Sequence, residues 1–303
     1  MGPWEELKAV AIGLAALAAV AMAYGAQFQN DAVSERHKSE ERGRGSLSLK
    51  QLSSLLLRPR WLSGLGMLGI AIFLQLAALS LAPLIVVQPI GAIALIVSPL
   101  INSRRHKSKI DPKTWIAVAV TTIGIGSFVG QATTVAHEVR LTDDNLREVL
   151  GILGILLVVF AAWFFTLGKR AKALTFVFGA GILYGFVATL AKVVIQRIYQ
   201  AQFEWLTVFC LVALVGAVAL GGWFVQNAYA SGPPDLVIAG LTVIDPLVAV
   251  SIGIIVLGEA KQANWMTIAG FLVSAVVAIV GVFMLSKVHP ELAHKPIETS
   301  TAK

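Results

Sequence analysis

The chain has 303 residues, of which 57% are hydrophobic and 14% charged, and its mean hydropathy is +0.79. Soluble domains are about 45–50% apolar and about 25% charged, so this composition excludes an ordinary soluble enzyme. It also excludes a disordered chain, which needs low hydrophobicity and high net charge. The net charge of +7 fits either a nucleic-acid partner or the cytoplasmic face of a membrane, and the positions of the basic residues decide between them. The single cysteine, Cys210, allows no internal disulfide.

Long apolar stretches dominate the sequence. A helix that crosses a bilayer needs about 20 mostly apolar residues. The first stretch is predicted to be a retained helix, because Glu5 and Glu6 precede it where a cleavable signal peptide has positive charge. We therefore expect an all-α polytopic membrane protein, with one domain covering residues 1–303. Its nine predicted spans are 9–26, 61–82, 83–102, 114–131, 149–167, 173–196, 205–226, 235–257 and 264–286.

The segment 27–60 is the one long connection between predicted spans. Residues 27–45 are charged or small and predict a solvated loop. Residues 46–58 place several leucines on one helix face before Pro59, which predicts a short helix lying on the membrane surface. The other connections are brief, and the tail 287–303 is polar.

The basic residues are unevenly distributed. Of the 24 lysines and arginines, 18 lie in the connections after the first, third and fifth spans or in the tail. The positive-inside rule then places the N-terminus outside and the C-terminus in the cytoplasm, in the cell (inner) membrane. The basic run at 104–109 is therefore read as a topology determinant, and no nucleic-acid partner is expected.

The two halves of the sequence share landmarks. Gln75 precedes Pro83 by eight residues, as Gln226 precedes Pro234, and Trp61 and Trp205 open the corresponding spans. These matches predict a first repeat at 1–131 and a second at 173–286, joined by a linker helix at 149–167. A single linker helix inverts the second repeat relative to the first, as in many secondary transporters.

The start of the third span resembles the third-helix motif of the drug/metabolite transporter superfamily, which includes the EamA-like transporters. The matching residues are Ala82-Pro83-Leu-Ile-Val-Val-Gln88-Pro89-Ile-Gly91-Ala92. Among its branches the sequence is most similar to the NIPA-type magnesium transporters. Trp61 and Gly64 resemble the start of the second helix in that branch. Leu257-Gly258-Glu259 resembles the superfamily's Leu-Gly-Glu ending. The resemblance implies transport of a small metabolite, a drug-like solute or an ion by alternating access, with magnesium as an alternative. One residue departs from the branch pattern, because Ile72 stands where it has a glutamate.

Asp245 is the clearest candidate for substrate or coupling-ion binding. It lies about ten residues into the eighth span and is followed by Pro246. An ionisable side chain within a bilayer is costly, so it is a functional candidate by default. If the chain holds a metal ion, Asp245 is the expected ligand. A structural Asp that bonds to neighbouring helices is the alternative.

Uncharged polar residues and prolines complete the predicted site. Gln75, Gln88, Gln226 and Asn227 are expected to line a cavity with Asp245, between the second, third, seventh and eighth spans. Pro89, Pro99 and Pro246 are expected to break their helices. Lys192 is expected to extend to the membrane interface rather than pair with Asp245. Glu259 is expected to be solvated or to gate the external mouth.

The remaining sequence motifs give no support for a soluble or enzymatic function. The GxGxxG match at 64–69 lies inside an apolar span without a preceding strand, so no nucleotide cofactor is expected. The five histidines lie outside the predicted spans, and no enzymatic activity is expected. The GxxxG patterns at 126–130 and 181–185 predict close helix packing, within the chain or in a homodimer. A membrane scaffold that transports nothing stays open as an alternative.

Overall fold

The computed structural model describes residues 3–39, 59–106, 110–167 and 173–288. Within these residues nine helices are long and apolar enough to cross a membrane, which confirms the predicted all-helical, nine-span fold. The predicted surface helix at 46–58 and nearly all of the tail 287–303 lie outside the described residues.

The helix bounds follow local sequence rules. Pro59, Pro112 and Pro234 each open a helix, at a position where the missing proline N–H leaves no bond unmade. The helices are α1 (Pro3–Ser39), α2 (Pro59–Leu81), α3 (Leu84–Val87, a 3-10 turn at Gln88–Ala92, and Ile93–His106), α4 (Pro112–Val135), α5 (Asp143–Leu167), α6 (Ala173–Tyr199), α7 (Trp205–Ser231), α8 (Pro234–Ile255) and α9 (Trp265–Val288).

Two predicted boundaries are wrong. The helix α1 continues to Ser39, so the predicted loop does not begin at Gln27. Residues 27–39 contain neither Gly nor Pro, and their polarity ends the apolar span at Gln29 without ending the helix. The helix α5 begins at Asp143 rather than at 149, because two aspartates in its first turn favour the positive end of the helix dipole.

The predicted helix breaks at Pro99 and Pro246 are also wrong. Both residues lie inside segments that stay α-helical on either side of them. A proline removes only one intrahelical donor, and packed transmembrane helices tolerate that loss. Pro89 differs, because it lies in the 3-10 turn that interrupts α3.

Close packing at glycines shows the relative directions of helices. In α6, Gly181 lies against Ile244 and Gly185 against Val248, so α6 and α8 are parallel. A Cβ added at either glycine would lie within 2.7 Å of the facing side chain. These two positions therefore need glycine for the helices to approach this closely.

The helices α4 and α9 are antiparallel. Gly124 faces Ala278, whereas Gln131, further along α4, donates to the hydroxyl of Ser274, which lies earlier in α9. The contact rows therefore run in opposite directions along the two helices. This pair joins the first half of the chain to the second.

One end of the bundle, which we call the Glu259 end, is where α2, α4, α6 and α8 finish and α1 begins. The amine of Lys8 at the start of α1 donates to the carbonyl of Thr133 at the end of α4 (2.7 Å). The side chain of Asn145 at the start of α5 donates to the carbonyl of Val256, just after α8 (2.9 Å). Because α1 begins where α6 ends, these two helices run in opposite directions, as inverted repeats require.

The Gly124 contact yields a stability prediction. A Cβ at position 124 would overlap the backbone of Ala278, whereas a Cβ at Gly126 would meet no atom within 4 Å. We expect Gly124→Ala to lower the free energy of unfolding by about 1–3 kcal/mol, since overpacking forces backbone shifts. Gly126→Ala in the same helix is the matched control and should raise it by up to about 1 kcal/mol, because alanine is the better helix former. Denaturant titration in mixed micelles measures both, and equal effects of the two substitutions would contradict the packing.

Candidate functional site

A cavity of about 410 Å³ lies between α1, α2, α3, α6 and α8. Its walls are mostly apolar. The polar side chains that line it are Gln75, Gln88, Tyr184, Thr242 and Asp245. The structure therefore brings together three of the five predicted binding residues, namely Asp245, Gln75 and Gln88.

The helix geometry explains why the two glutamines face the cavity. Gln75 shares the inner face of α2 with the buried residues Ala71 and Ala78, at helical spacings of four and three. Gln88 and Gly91 lie three residues apart in the 3-10 turn, and residues at that spacing point the same way. Both of these residues line the cavity.

Asp245 lies at a close contact between α6 and α8. A Cβ added at Gly185 would lie 3.0 Å from the main-chain oxygen of Asp245, so the position of the backbone is fixed by this crossing. The Oδ1 atom of Asp245 is buried and has no hydrogen-bond partner. Buried polar atoms are nearly always paired, so an unpaired carboxylate oxygen at a cavity marks a place where a ligand can bind.

Gln226 and Asn227 do not line this cavity, contrary to the sequence-based expectation. The inner face of α7 carries Ala217, Gly221, Phe224 and Ala228, and the two amides lie on other faces of the helix. Asn227 donates to the carbonyl of Trp223 one turn earlier (2.8 Å), and Gln226 is exposed. The helix α7 is therefore absent from the cavity wall, and α1 and α6 contribute instead.

Lys192 is buried, and the prediction that it extends to the interface is wrong. Only 1% of the residue is exposed. Its amine donates to the carbonyls of Leu79 (2.9 Å) and Ala82 (2.8 Å), and to Oε1 of Glu138 (2.6 Å). The lysine therefore binds the last carbonyls of α2, where a cation is favoured by the helix dipole.

Glu259 is likewise buried, at 3% exposure, so the expectation of a solvated side chain is wrong. It follows α8, and its carboxylate accepts the N–H groups of Leu84 (2.8 Å) and Ile85 (3.0 Å). These are the first two N–H groups of α3, where a negative charge is favoured. We call Lys192, Glu138 and Glu259 the charged cluster.

The pKa of Glu259 is raised from its usual value of 4.5 to about 7 by burial, although Lys192 and the two N–H donors act to lower it and Glu138 raises it further. The folded protein therefore binds this proton more tightly than the unfolded chain. The stability that this proton supplies is fully present below about pH 4.5 and is lost as the pH rises through about 7. The other charged or titratable residues in the adjacent connections, His137, Arg140 and Lys261, are exposed.

We therefore expect a pH-dependent difference between the wild type and the Glu259→Gln variant. The wild type should lose up to about 3 kcal/mol of unfolding free energy, relative to the variant, between pH 5 and pH 8. Thermal midpoints of both proteins, measured in detergent across this range, check the expectation. A constant difference between the two proteins would contradict it, because the titration of all other groups is common to both.

The known proteins that this chain resembles are distant relatives. No family model and no solved structure matches the chain. It is 26% identical over 252 residues to an uncharacterized protein of Corynebacterium glutamicum, covering 80% of this chain and 84% of that protein. It is 25% identical over 226 residues to the probable magnesium transporter NIPA9 of Arabidopsis thaliana, covering 71% of this chain and 65% of that protein, just under two thirds. The chain is thus a polytopic membrane protein distantly related to a probable magnesium transporter.

Sequence reasoning missed the charged cluster. Lys192 lies seven residues before the end of α6, about two turns inside the helix. A lysine whose amine reaches the membrane interface usually lies closer to the helix end. That depth was the available signal. Glu138 carried none, because it lies in a polar connection between two spans.

Proposed function

We propose that this chain is a membrane transporter that carries a small cation through the Asp245 cavity by alternating access. The observation that supports it most is the buried Oδ1 atom of Asp245, which has no partner at the cavity wall. An unpaired charge within a bilayer is costly, so such a group is retained where a cation or a proton neutralises it during function. The side-chain oxygens of Gln75 and Gln88 add neutral ligands in the same cavity.

The helix directions favour alternating access. The helices α1 and α6 run in opposite directions, and the cavity lies between helices of both halves. Repeats at 1–131 and 173–286, inverted about the linker helix, would each supply part of the wall, and rocking one against the other would expose the site to each side in turn. A scaffold that transports nothing has no need of a partnerless carboxylate in such a cavity.

Magnesium is a second and narrower candidate cargo. The distant similarity to the probable magnesium transporter of Arabidopsis thaliana favours it. Mg²⁺ keeps several of its water molecules and is bound through one or two carboxylates, which suits a cavity of about 410 Å³ with one carboxylate. Ile72 lines this cavity, so the position where the NIPA pattern has a glutamate adds no second charge.

The basic residues favour one orientation in the membrane. Eighteen of the 24 lysines and arginines belong to the sequence segments after the first, third and fifth predicted spans or to the tail. The helices α1, α3, α5 and α9, which lead into those segments, run away from the Glu259 end. The positive-inside rule then makes the Glu259 end the external one, with the N-terminus outside and the C-terminus in the cytoplasm.

Uptake by the protein reconstituted in liposomes tests this proposal. The solutes are Mg²⁺, a monovalent organic cation, a neutral amino acid and an anionic metabolite, with protein-free liposomes as the control. We expect saturable uptake of at least one cation and no uptake of the anion. Uptake of the organic cation without Mg²⁺ would remove the narrower candidate, whereas uptake of the anion alone would contradict the proposal.

A further inference from the structure

Charged side chains from other parts of the chain hold both ends of the turn between α2 and α3. Lys192 binds the last carbonyls of α2, and Glu259 binds the first N–H groups of α3. Each charge has the sign that favours the helix end it contacts. The turn is therefore fixed by two opposite charges that belong to different elements of the fold.

The charged cluster joins the two halves of the chain. Glu138 follows α4, in the first half, and bonds to Lys192 of α6, in the second half. Glu259 follows α8, in the second half, and bonds to α3 in the first. The main-chain N–H of His137 also donates to the main-chain oxygen of Glu259 (3.0 Å). These contacts would have to separate if the halves moved apart at this end.

Lys192 connects the charged cluster to the wall of the cavity. Leu79 and Ala191 line the cavity. The carbonyl of Leu79 accepts a hydrogen bond from Lys192, and Ala191 is the residue before Lys192 in α6. Lys192 therefore adjoins the cavity wall, and Glu138 is bonded to Lys192 on the side of the Glu259 end.

We propose that Lys192, Glu138 and Glu259 form the gate that closes the cavity at the Glu259 end. Their contacts separate when the cavity opens to that side and form again when it closes. The proposal rests on the transport function proposed above, and it assigns the three residues a positioning role, since none of them lines the cavity itself.

The hydrogen bonds of the charged cluster suit a contact that forms and breaks. All three donors of the Lys192 amine are occupied, which stabilises the closed arrangement. The Oε2 atom of Glu138 is buried without a partner, so opening to water would supply a bond that the closed state lacks. The side chain of Glu138 is 27% exposed and is therefore the member of the cluster closest to the surface.

The turn between α7 and α8, at the opposite end of the bundle, has a different contact. It packs through Gly232 against the methyl group of Ala173. Small residues pack at this turn, whereas charged side chains bind both ends of the α2–α3 turn.

Thiol accessibility of the cavity tests the gate without requiring cargo. The background is Cys210→Ala, which removes the single native cysteine, with Ala188→Cys as a reporter on the cavity wall. A membrane-impermeant maleimide is added from each side of reconstituted liposomes. We expect Glu138→Gln and Lys192→Met to speed labelling from the Glu259 end by about tenfold, because each removes a charge-assisted hydrogen bond.

Arg147→Gln is the matched control. It removes an ion pair at the same end, but Arg147 and Asp144 are 63% and 84% exposed, so labelling should not change. Thermal midpoints confirm that each variant is folded, and Glu138→Gln decides the result if Lys192→Met does not fold. Labelling of Glu138→Gln no faster than that of Arg147→Gln would overturn the gate, while leaving any measured cation uptake in place. Labelling that rises equally from both sides would also overturn it.

Discussion

Cation uptake by the Asp245→Asn variant is expected to be about 10 to 100 times slower than uptake by the wild type. Asparagine keeps the size of the side chain and removes the charge, so a cation in the cavity loses its one carboxylate ligand. Hydrogen bonds and contacts to a charged group are worth about 1.5–3 kcal/mol, which corresponds to this range of rates. Initial uptake rates in liposomes measure the effect at subsaturating cation.

Two further substitutions separate charge in the cavity from charge elsewhere. Asp144→Asn removes an 84% exposed aspartate from the first turn of α5 and should leave uptake unchanged. Asp245→Glu keeps the charge but moves it by one methylene, so we expect an intermediate rate. If Asp245→Asn transports at the wild-type rate with the wild-type pH dependence, Asp245 has no part in the mechanism.

The largest effect on stability is expected at Lys192. Lys192→Met removes the ion-pair partner of Glu138, the positive charge that acts on buried Glu259, and the donor to the carbonyls of Leu79 and Ala82. Removing one member of a buried ion pair costs about 3–5 kcal/mol, since the remaining charge stays desolvated. Denaturant titration in mixed micelles measures the loss of unfolding free energy.

The comparison with exposed charge is again Arg147→Gln, which should cost less than about 1 kcal/mol. Adding Glu259→Gln to Lys192→Met should restore part of the lost stability, because it neutralises the buried carboxylate on which the charge of Lys192 acted. A Lys192→Met variant that is no less stable than Arg147→Gln would show that these buried charges do not hold the α2–α3 turn.

The fold follows from the sequence because it depends on local chemistry. Length and hydropathy are sufficient to find nine spans, since each helix in a bilayer must satisfy its own backbone. Asp245 and Gln88 could be named from sequence for a similar reason, because polar residues within apolar runs are conspicuous. Gln75 lay at helical spacing from small residues that pack inward.

The rest of the site depends on contacts between distant residues. Lys192 and Glu138 are 54 positions apart, and Glu259 reaches residues 174 and 175 positions earlier. No periodicity within one helix reports such pairs. Gln226 shows the opposite error, since its spacing to a proline matched that of Gln75 while its side chain faces away from the cavity. A shared spacing along the chain does not fix which face of a helix turns inward.

Cation-dependent stabilisation of the purified protein tests the central claim most directly. A ligand that binds the folded state at about 100 times its Kd adds about 2.7 kcal/mol of stability, which raises the thermal midpoint. The account predicts that the midpoint of the wild type and of Asp144→Asn rises with the concentration of the transported cation, and that the midpoint of Asp245→Asn rises by less than half as much. An equal rise in Asp245→Asn would contradict the account, because the cation would then bind elsewhere.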